Sequence, residues 1–282
     1  IPLAWGERVV LYLLREDSSQ SLPAGRRGFT LEGLGLHGAG AAAVRRALYA
    51  GKGLVLVCGA SGSGRTTLLY TLLDMLNTPE RLLASVEEKA AMRLPYVAQT
   101  EINPQAGFTA AAALRAVLRQ DPDVVMIDLV ADRETADLAA AAAARGVLVL
   151  AAAADESHLP GSTVLVRTAL VRKLCDKQTR DTRTLERRHL EPLEERVDFT
   201  KVLAALKDED RVPQAVAWKD LGYPNVTGCS ECEGGYRGVT GLYEVVAEGE
   251  SSLNLHEDAL FKAAAGQTSV AEVLRLSDIL AL

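Results

Sequence analysis

One stretch of the chain restricts its fold more than any other: a short apolar run that passes directly into a glycine-rich turn. The run is Gly53–Cys58 (GLVLVC), and the turn at 59–66 has the sequence GASGSGRT. A fully apolar run of this length is typical of a parallel strand that helices cover on both faces. Glycines let successive backbone N–H groups converge on a phosphate, and a following helix adds its positive end. The sequence therefore predicts a phosphate-binding loop between a buried strand and a helix.

The turn fits the Walker A pattern G-x-x-x-x-G-K-[ST] at every fixed position except the lysine, which is Arg65 here. Arginine keeps the positive charge but carries a bulky planar fork, so it either points outward or holds phosphates in an altered geometry. The hydroxyl of Thr66 is placed to ligate a nucleotide-bound Mg²⁺. The residues predicted to contact nucleotide in this loop and in the first helical turn are Gly59, Gly62, Ser63, Gly64, Arg65, Thr66 and Thr67.

A second apolar strand ends in an acid. Val124–Ile127 (VVMI) is followed by Asp128, which is the Walker B pattern. An acid at the carboxyl end of a parallel strand faces the ligand crevice of such a sheet. We therefore predict that Asp128 holds Mg²⁺ through water; the alternative is a cap of the following turn. The next residue is Leu129 rather than a glutamate that could polarise water.

Strand and helix patterns alternate through the middle of the chain. Further strands are predicted at 82–86 and 147–152. Helices are predicted at 41–49, 66–76, 110–118 and 133–144. Short apolar strands that alternate with helices of roughly 10–15 residues indicate a doubly wound parallel sheet. The predicted fold class is therefore α/β.

The two ends of the chain have different patterns. Gly6–Arg15 is predicted to be a strand, and 176–221 is dense in charge and is predicted to be a surface insertion with one amphipathic helix, Phe199–Leu206. Near the end, Ser269 and Glu272 have the spacing of a capping box for a terminal helix.

Composition limits the class of partner. The 282 residues carry a net charge of −6, and 48% are hydrophobic, which is typical of a soluble globular protein. An acidic balance argues against broad binding to the phosphate backbone of nucleic acids, which requires a basic face. The longest apolar stretch, 138–154, is mostly alanine and is interrupted by Arg145 and Gly146. It is a poor match to a membrane span of about 20 strongly apolar residues. The four cysteines are too few and too scattered for a disulfide scaffold, so we predict a cytoplasmic protein.

Several colinear blocks resemble the motor ATPases of type II secretion and type IV pilus assembly. They are GERVVLYLL (Gly6–Leu14), the stretch Gly53–Arg81, LRAVLRQDPDVVMI (Leu114–Ile127), DRETADLA (Asp132–Ala139), LVRKLC (Leu170–Cys175), GCSECEGGYRGVTGLYEVV (Gly228–Val246) and Ala263–Leu276. The RQDPD and GYRG-TG-YEV blocks are the most specific. The resemblance implies a RecA-like core in a hexameric ring at the cytoplasmic face of the inner membrane, coupling ATP hydrolysis to the assembly of pilin-like fibres. The implied partners are ring neighbours, an inner-membrane platform and cytoplasmic adaptor proteins.

The resemblance also suggests a division of the chain into four segments. Residues 1–28 would be the end of a truncated N-terminal domain with a linker, and 29–175 the RecA-like core. Residues 176–246 would be a charged insertion with a cysteine knuckle, similar to a zinc ribbon, and 247–282 the C-terminal helices.

The chain departs from the family pattern at several catalytic positions. The family's acidic box E-D-P-x-E is Glu87-Glu88-Lys89-Ala90-Ala91 here, and Leu129 replaces the glutamate after the Walker B strand. The family's histidine box aligns with the alanines at 151–154, with His158 out of register, and two family arginines are replaced, one by Ala131 and one by Tyr12. Glu87 and Glu88 are the remaining candidates to orient a water.

Because these changes would converge on one site, we predict a nucleotide-binding subunit with weak or lost hydrolysis. The alternative is a fully active motor. A third interpretation, a small-molecule kinase, is disfavoured because the sequence shows no recognisable acceptor site.

Family members can bind a structural zinc with two C-x-x-C pairs. Here Cys229 and Cys232 form one pair, whereas the other is reduced to Cys175. Three thiolates need a fourth ligand, which Asp176 or His189 could supply. The alternative is a metal-free loop with reduced thiols. Cys58, within the first apolar run, is predicted to be a core residue.

Overall fold

The computed structural model describes residues 2–3, 6–7, 30–157, 161–177, 182–185 and 191–279. Within the predicted N-terminal strand, only Gly6–Glu7 (β2) falls in these ranges, and it pairs antiparallel with Pro2–Leu3 (β1). Tyr12, His158 and His189 lie outside the described residues, as does most of that predicted strand.

The helices and strands follow the predicted alternation between residues 41 and 153, but the strands at 97–101 and 164–174 were not predicted. The helices are α1 (Leu31–Leu34), α2 (Gly38–Ala50), α3 (Arg65–Met75), α4 (Ala110–Leu118), α5 (Arg133–Ala144), α6 (Phe199–Asp208), α7 (Leu255–Ala264) and α8 (Val270–Ile279). The remaining strands are β3 (Gly53–Cys58), β4 (Leu83–Glu87), β5 (Val97–Glu101), β6 (Val124–Ile127), β7 (Leu148–Ala153), β8 (Val164–Leu174), β9 (Thr182–Thr184), β10 (Gly222–Pro224), β11 (Tyr236–Ala247) and β12 (Glu250–Ser251).

The central sheet has eight strands in the order β12-β11-β8-β3-β7-β6-β4-β5. Strands β3 to β8 are parallel, and the order places β3 in the middle, between β7 and β8. The predicted α/β class with a parallel sheet is therefore confirmed. The sheet is nevertheless mixed at one edge, because β11 runs antiparallel to β8 and β12 antiparallel to β11.

Side chains that alternate along β3 enter two different cores. Val55 and Val57 pack with apolar residues of α2 and α3 on one face of the sheet. Leu54, Leu56 and Cys58 pack with α4 and α5 on the other. This covering on both faces explains why the strand is apolar throughout, and it confirms Cys58 as a core residue.

A third core lies among the C-terminal helices. Phe261 of α7 packs there with Val202 and Leu206 of α6 and with Tyr223 of β10. The segment 176–221 is therefore more than the predicted surface insertion, since its spaced apolar residues are buried between charged ones. Strand β11 likewise begins inside the predicted 176–246 segment yet belongs to the central sheet. The four segment boundaries stay a prediction.

A cluster of charged groups links this third core to the start of α2. His37 Nδ1 lies 2.6 Å from Glu209 Oε1, and Nε2 lies 2.8 Å from Asp258 Oδ1. Lys262, fully buried, donates to Asp258 and to the carbonyl oxygen of Gly241, each at 2.6 Å. Burial opposes the charged imidazole, but the two carboxylates outweigh it and raise the pKa of His37.

The predicted capping box of α8 forms on one side only. Ser269 Oγ accepts a hydrogen bond from the backbone N–H of Glu272 at 3.3 Å. The carboxylate of Glu272 instead accepts from the backbone N–H and guanidinium of Arg172 on β8. Among the helices of the described ranges, none is long and apolar enough to cross a membrane.

Candidate functional site

The loop between β3 and α3 has the shape that its glycines suggest. Gly64 is the N-cap of α3 with a φ of +95°, and Gly62 has a φ of +79° with open space where a Cβ would lie. Gly59 serves a different purpose. A Cβ on Gly59 would lie 2.6 Å from the carbonyl oxygen of Thr168 on β8 and 2.5 Å from Ser63 Oγ. Close packing therefore demands glycine at the start of the loop, and backbone conformation demands it farther along.

Ser63 faces the protein rather than the crevice. It is buried, its Oγ lies 2.9 Å from Thr168 Oγ1, and its N–H donates to the carbonyl oxygen of Ala60 at 3.1 Å. Thr67, by contrast, is exposed on the first turn of α3. The predicted contacts of these two residues with nucleotide are thus not evident from their side-chain positions.

The two predicted Mg²⁺ ligands lie together. Thr66 Oγ1 donates a hydrogen bond to Asp128 Oδ1 at 3.1 Å, joining the start of α3 to the end of β6. Burial raises the pKa of Asp128, and the charges of Glu87 and Glu88 act in the same direction. The hydrogen bond from Thr66 and the charge of Arg65 lower it in part. A divalent cation would compensate such a desolvated carboxylate.

Arg65 does not point freely into solvent. Its side chain is half-buried, its charge acts on Asp128, and its Nη1 is buried without a hydrogen-bond partner among the described residues. A shielded guanidinium N–H without a partner is unfavourable by roughly 1–3 kcal/mol. An anion within reach of this nitrogen would supply the missing acceptor, and a phosphate contact of Arg65 stays a prediction.

The two predicted water-orienting acids have opposite surroundings. Glu87 is 1% exposed, and its carboxylate accepts hydrogen bonds from Tyr70 Oη, from Ser85 Oγ and, at 3.2 Å, from Gln99 Nε2. These three donors fix Glu87 within the sheet. Glu88, the next residue, is exposed. Only Glu88 therefore has a carboxylate that water reaches directly.

Two other changed positions follow the ends of strands or lie within them. Leu129 follows Asp128 and is 39% exposed, so a side chain at this position faces solvent. Ala151, Ala152 and Ala153 are buried in β7, and Ala154 is exposed just beyond it. No ionisable side chain is available at these positions.

The three cysteines of the predicted knuckle come together where β8 ends and where the loop before β11 begins. Cys175 Sγ lies 3.8 Å from Cys229 Sγ, which lies 3.2 Å from Cys232 Sγ. Thiolates around a tetrahedral zinc with Zn–S bonds of about 2.3 Å lie about 3.8 Å apart. The distance between Cys175 and Cys229 matches this spacing, whereas the distance between Cys229 and Cys232 is shorter. Within the described ranges, no fourth His, Cys, Asp or Glu joins the group. Asp176 is exposed and pairs with Lys173 at 3.6 Å.

Several residues that shape the site were not predicted from the sequence. Thr168 supports the phosphate loop, whereas Tyr70, Ser85 and Gln99 hold Glu87. The contacts of Thr168, Tyr70 and Gln99 join residues at least 12 positions apart in the chain, whereas Ser85 lies two positions from Glu87 on the same strand. The preference of Ser and Thr for hydrogen-bonded positions when buried is the only signal that could have found the hydroxyls.

Comparison with known sequences places this site in context. A family model described as Type II/IV secretion system protein matches residues 1–275. The type II secretion system protein E of Pseudomonas aeruginosa is 34% identical over 307 residues, covering 98% of this chain and 57% of the relative. The type IV pilus assembly ATPase PilB of Acinetobacter baylyi is 32% identical over 263 residues, covering 87% of this chain and 41% of the relative. The chain spans about half the length of the curated relatives it matches.

Solved structures resemble parts of the fold. The ATPase DotB of Legionella pneumophila matches with a TM-score of 0.48 and 18% identity, over 84% of this chain and 62% of that chain. The pilus retraction motor PilT, solved with bound ADP, matches with a TM-score of 0.41 and 24% identity, over 46% of this chain and 47% of that chain. The family model, by contrast, covers almost all of the sequence. This chain belongs to the family of type II/IV secretion system proteins.

Proposed function

We propose that the chain binds ATP with Mg²⁺ as a subunit of a type II secretion or type IV pilus-type assembly machine, and that it hydrolyses ATP slowly or not at all. The observation that carries the proposal is the contact of 3.1 Å between Thr66 Oγ1 and Asp128 Oδ1 beside a glycine-formed loop. A hydroxyl and a carboxylate in this arrangement are the Mg²⁺ ligands of phosphate-loop nucleotide sites.

Each part of the loop has a role in this proposal. Backbone N–H groups between Gly62 and Thr66 bind the β-phosphate, with Ser63 N–H excepted because it bonds to the loop itself. Thr66 and Asp128 hold Mg²⁺, which supplies charge neutralisation when bound. Arg65 provides a donor and a positive charge for the phosphates.

The proposal of weak hydrolysis rests on the residues at the ends of β4 and β6, opposite the phosphate loop. Glu87 is held by its three hydrogen-bond donors, and Leu129 has no group that could take a proton. Losing a positioned general base typically costs a factor of 10²–10⁴ in rate. A fully active motor stays the second candidate because Glu88 is exposed and its charge reaches Asp128.

The wider assembly is proposed from family membership. We place the chain in a hexameric ring, of one or mixed subunits, at the cytoplasmic face of the inner membrane. An inner-membrane platform and cytoplasmic adaptor proteins would be its partners, and nucleic acid would not. Gel filtration with light scattering, with and without Mg²⁺-ATP, measures whether the purified chain forms such a ring.

We also propose a structural zinc at Cys175, Cys229 and Cys232. Zinc would tie the end of β8 to the loop before β11. These two segments are already joined by a hydrogen bond from the N–H of Cys175 to the carbonyl oxygen of Gly235. Metal analysis after dialysis should find about one zinc per chain, and Cys229→Ser should abolish it. A zinc-free wild-type protein with three titratable thiols in this group would support the metal-free alternative.

Calorimetry tests the nucleotide proposal. ATP is titrated into the purified chain with and without Mg²⁺, while phosphate release is followed in a parallel sample. We expect saturable binding that strengthens with Mg²⁺, together with turnover at least about 10²-fold below the roughly 10 s⁻¹ typical of enzymes. Binding with rapid turnover would favour the active motor. A folded protein that binds no nucleotide would contradict both.

A further inference from the structure

Strand β8 continues past the point where β3 stops. The two strands pair in parallel from Val55 with Val164 to Cys58 with Arg167. On the side where β3 ends, the next residues of β8 lie beside the phosphate loop, while β11 continues to pair with them on the other side. Thr168 lies against the loop through Gly59 and Ser63, and Leu170 Cδ2 would lie 3.4 Å from a Cβ on Gly64. One edge of the loop thus rests on side chains of a neighbouring strand.

The hydrogen bonds in this contact join two buried hydroxyls to the end of β3. Thr168 Oγ1 lies 3.3 Å from the carbonyl oxygen of Cys58 and 2.9 Å from Ser63 Oγ. A carbonyl oxygen only accepts, so Thr168 is the donor to Cys58, whereas either hydroxyl can donate in the contact between Thr168 and Ser63. The two hydroxyls form a chain from the middle of the loop back to the end of β3.

Burial makes this chain hard to replace. Thr168 is 4% exposed and Ser63 is 8% exposed, so water has little access to either hydroxyl. Removing one hydroxyl leaves a buried group without its partner, which is costlier than losing a solvent-exposed hydrogen bond.

We propose that Thr168 is a positioning residue of the phosphate loop. It acts through Ser63, fixing the curvature of residues 59–64 and so the direction of the N–H groups that receive phosphate, without touching nucleotide itself. A loop that is already ordered loses less conformational freedom when a ligand binds, and this preserves affinity. The part of the inference that concerns affinity rests on the proposed nucleotide-binding function.

The test separates the hydroxyl of Thr168 from its methyl group. Thr168→Val keeps the shape and removes the hydroxyl, whereas Thr168→Ser keeps the hydroxyl. Ser63→Ala removes the other member of the pair, and the double variant Thr168→Val/Ser63→Ala completes a mutant cycle. Two quantities are measured on the full chain: amide hydrogen exchange of residues 59–64 without nucleotide, and the Kd of Mg²⁺-ATP.

We expect Thr168→Val to accelerate exchange in the loop and to weaken Mg²⁺-ATP binding by about 5–10-fold, the range for one buried hydrogen bond. Thr168→Ser should stay within about twofold of wild type in both measurements. The double variant should bind no more weakly than Thr168→Val alone, because both changes break the same bond. If Thr168→Val folds poorly, Ser63→Ala gives the same measurement from the loop side.

Three results would overturn the inference. They are unchanged exchange and affinity in Thr168→Val, equal damage from Thr168→Ser, and additive effects in the double variant. Equal damage from Thr168→Ser would show that the methyl group, rather than the hydroxyl, matters. If wild type binds no nucleotide while Thr168→Val still accelerates exchange, the proposed function fails but Thr168 is shown to order the loop. If wild type binds and Thr168→Val changes nothing, the positioning role alone fails.

Discussion

The carboxyl ends of the parallel strands form two regions that differ in which family features they keep: the phosphate-binding features near β3 are present, and the hydrolytic side chains near β4 and β6 are changed. On the side of β3, the loop glycines, Thr66 and the buried support from Thr168 form the proposed phosphate-binding loop in full. On the side of β4 and β6, Glu87 is held by other side chains and Leu129 follows Asp128. Binding of phosphate depends mainly on backbone shape, whereas hydrolysis depends on separate side chains, each of which can be lost without unfolding the sheet.

The largest effect is expected from Gly59→Ala, in the phosphate loop. The added Cβ would meet the backbone oxygen of Thr168, which cannot move as a flexible side chain would. We expect Mg²⁺-ATP affinity to fall by about 100-fold or more, as overpacking costs about 1–3 kcal/mol and the loop would also change shape. Calorimetry measures this loss. Gly51→Ala is the matched control, since Gly51 has a φ of +66° with open space and ends α2 outside the loop; it should lower stability and leave affinity unchanged.

A smaller loss of Mg²⁺-ATP affinity is expected from Asp128→Asn, because Asp128 joins the end of β6 to the start of α3. Affinity for Mg²⁺-ATP should fall by roughly 10–50-fold, while binding of ATP without Mg²⁺ should change little, because a neutral amide does not compensate the cation. The exposed Asp137 on α5 provides the control, Asp137→Asn, which should bind as wild type does. Equal losses with and without Mg²⁺ would contradict the assignment of Asp128 as a Mg²⁺ ligand.

The same carboxylate predicts a pH dependence. Because burial raises the pKa of folded Asp128, Mg²⁺-dependent affinity should begin to fall at a higher pH than an ordinary Asp, near 3.9, would give. Without ligand, the folded protein binds this proton more readily than the unfolded chain, so Asp128 lowers stability increasingly as pH rises through the window between the unfolded and folded pKa values. Asp128→Asn should therefore have a higher melting temperature than wild type at pH 7, and the difference should shrink toward acid pH. An unchanged or lower melting temperature at pH 7 would contradict this sign.

A gain is expected from Leu129→Glu, which restores an acid to the region of β4 and β6. Because Leu129 is 39% exposed, a carboxylate there keeps contact with water. Phosphate release should rise by about 10-fold, below the 10²–10⁴ of an optimally placed base because Arg65 and the acidic box stay altered. Leu129→Gln, which is similar in size but cannot take a proton, should show no rise. Equal rates for both variants would mean that the missing glutamate is not what limits turnover.

The smallest effects should separate the two remaining acids. Glu88→Gln is expected to lower residual phosphate release by about threefold, because its exposed carboxylate acts on the site only at a distance. Glu87→Gln should leave that residual rate unchanged but lower stability by about 1–3 kcal/mol, since the amide cannot accept all three hydrogen bonds. Thermal unfolding and phosphate release on the same samples measure both. The reverse pattern would make Glu87 the water-orienting acid.

The sequence predicted helices and strands correctly where the local hydrophobic pattern agrees with the burial of the residues in the fold. Strand β3, strand β6 and helices α4 and α5 begin and end where the sequence placed them. Each is short, strongly patterned and bounded by turn or capping residues, so local preference and tertiary burial act together. The prediction was weaker for 176–221, where charge density suggested a surface although Leu193, Val202 and Leu206 are fully buried. A few apolar residues at wide spacing give little local signal, and their burial depends on partners in α7.

Sequence reasoning was also unable to distinguish the surroundings of Glu87 from those of Glu88. Glu87 and Glu88 are adjacent in sequence and equally plausible by chemistry, yet adjacent residues at the end of a strand point in different directions. One of them meets Tyr70 and Gln99 from other elements, and the other meets solvent. The same limit applies to Ser269 and Glu272. In a local capping box the carboxylate of Glu272 would accept from the backbone of Ser269, but here it accepts hydrogen bonds from Arg172 on β8.

The sequence by itself determined the phosphate loop, the order of strands and helices around it, and the absence of a glutamate after Asp128. These depend on glycine conformation, on the alternation of apolar runs, and on residue identity, all of which are local. Only the tertiary structure decided that Ser63 faces Thr168, that Glu87 is fixed, that Arg65 has a shielded donor, and that three cysteines meet. Such contacts depend on where distant segments pack, and a hydrogen-bond partner separated by a hundred residues leaves no spacing in the chain from which it could be predicted.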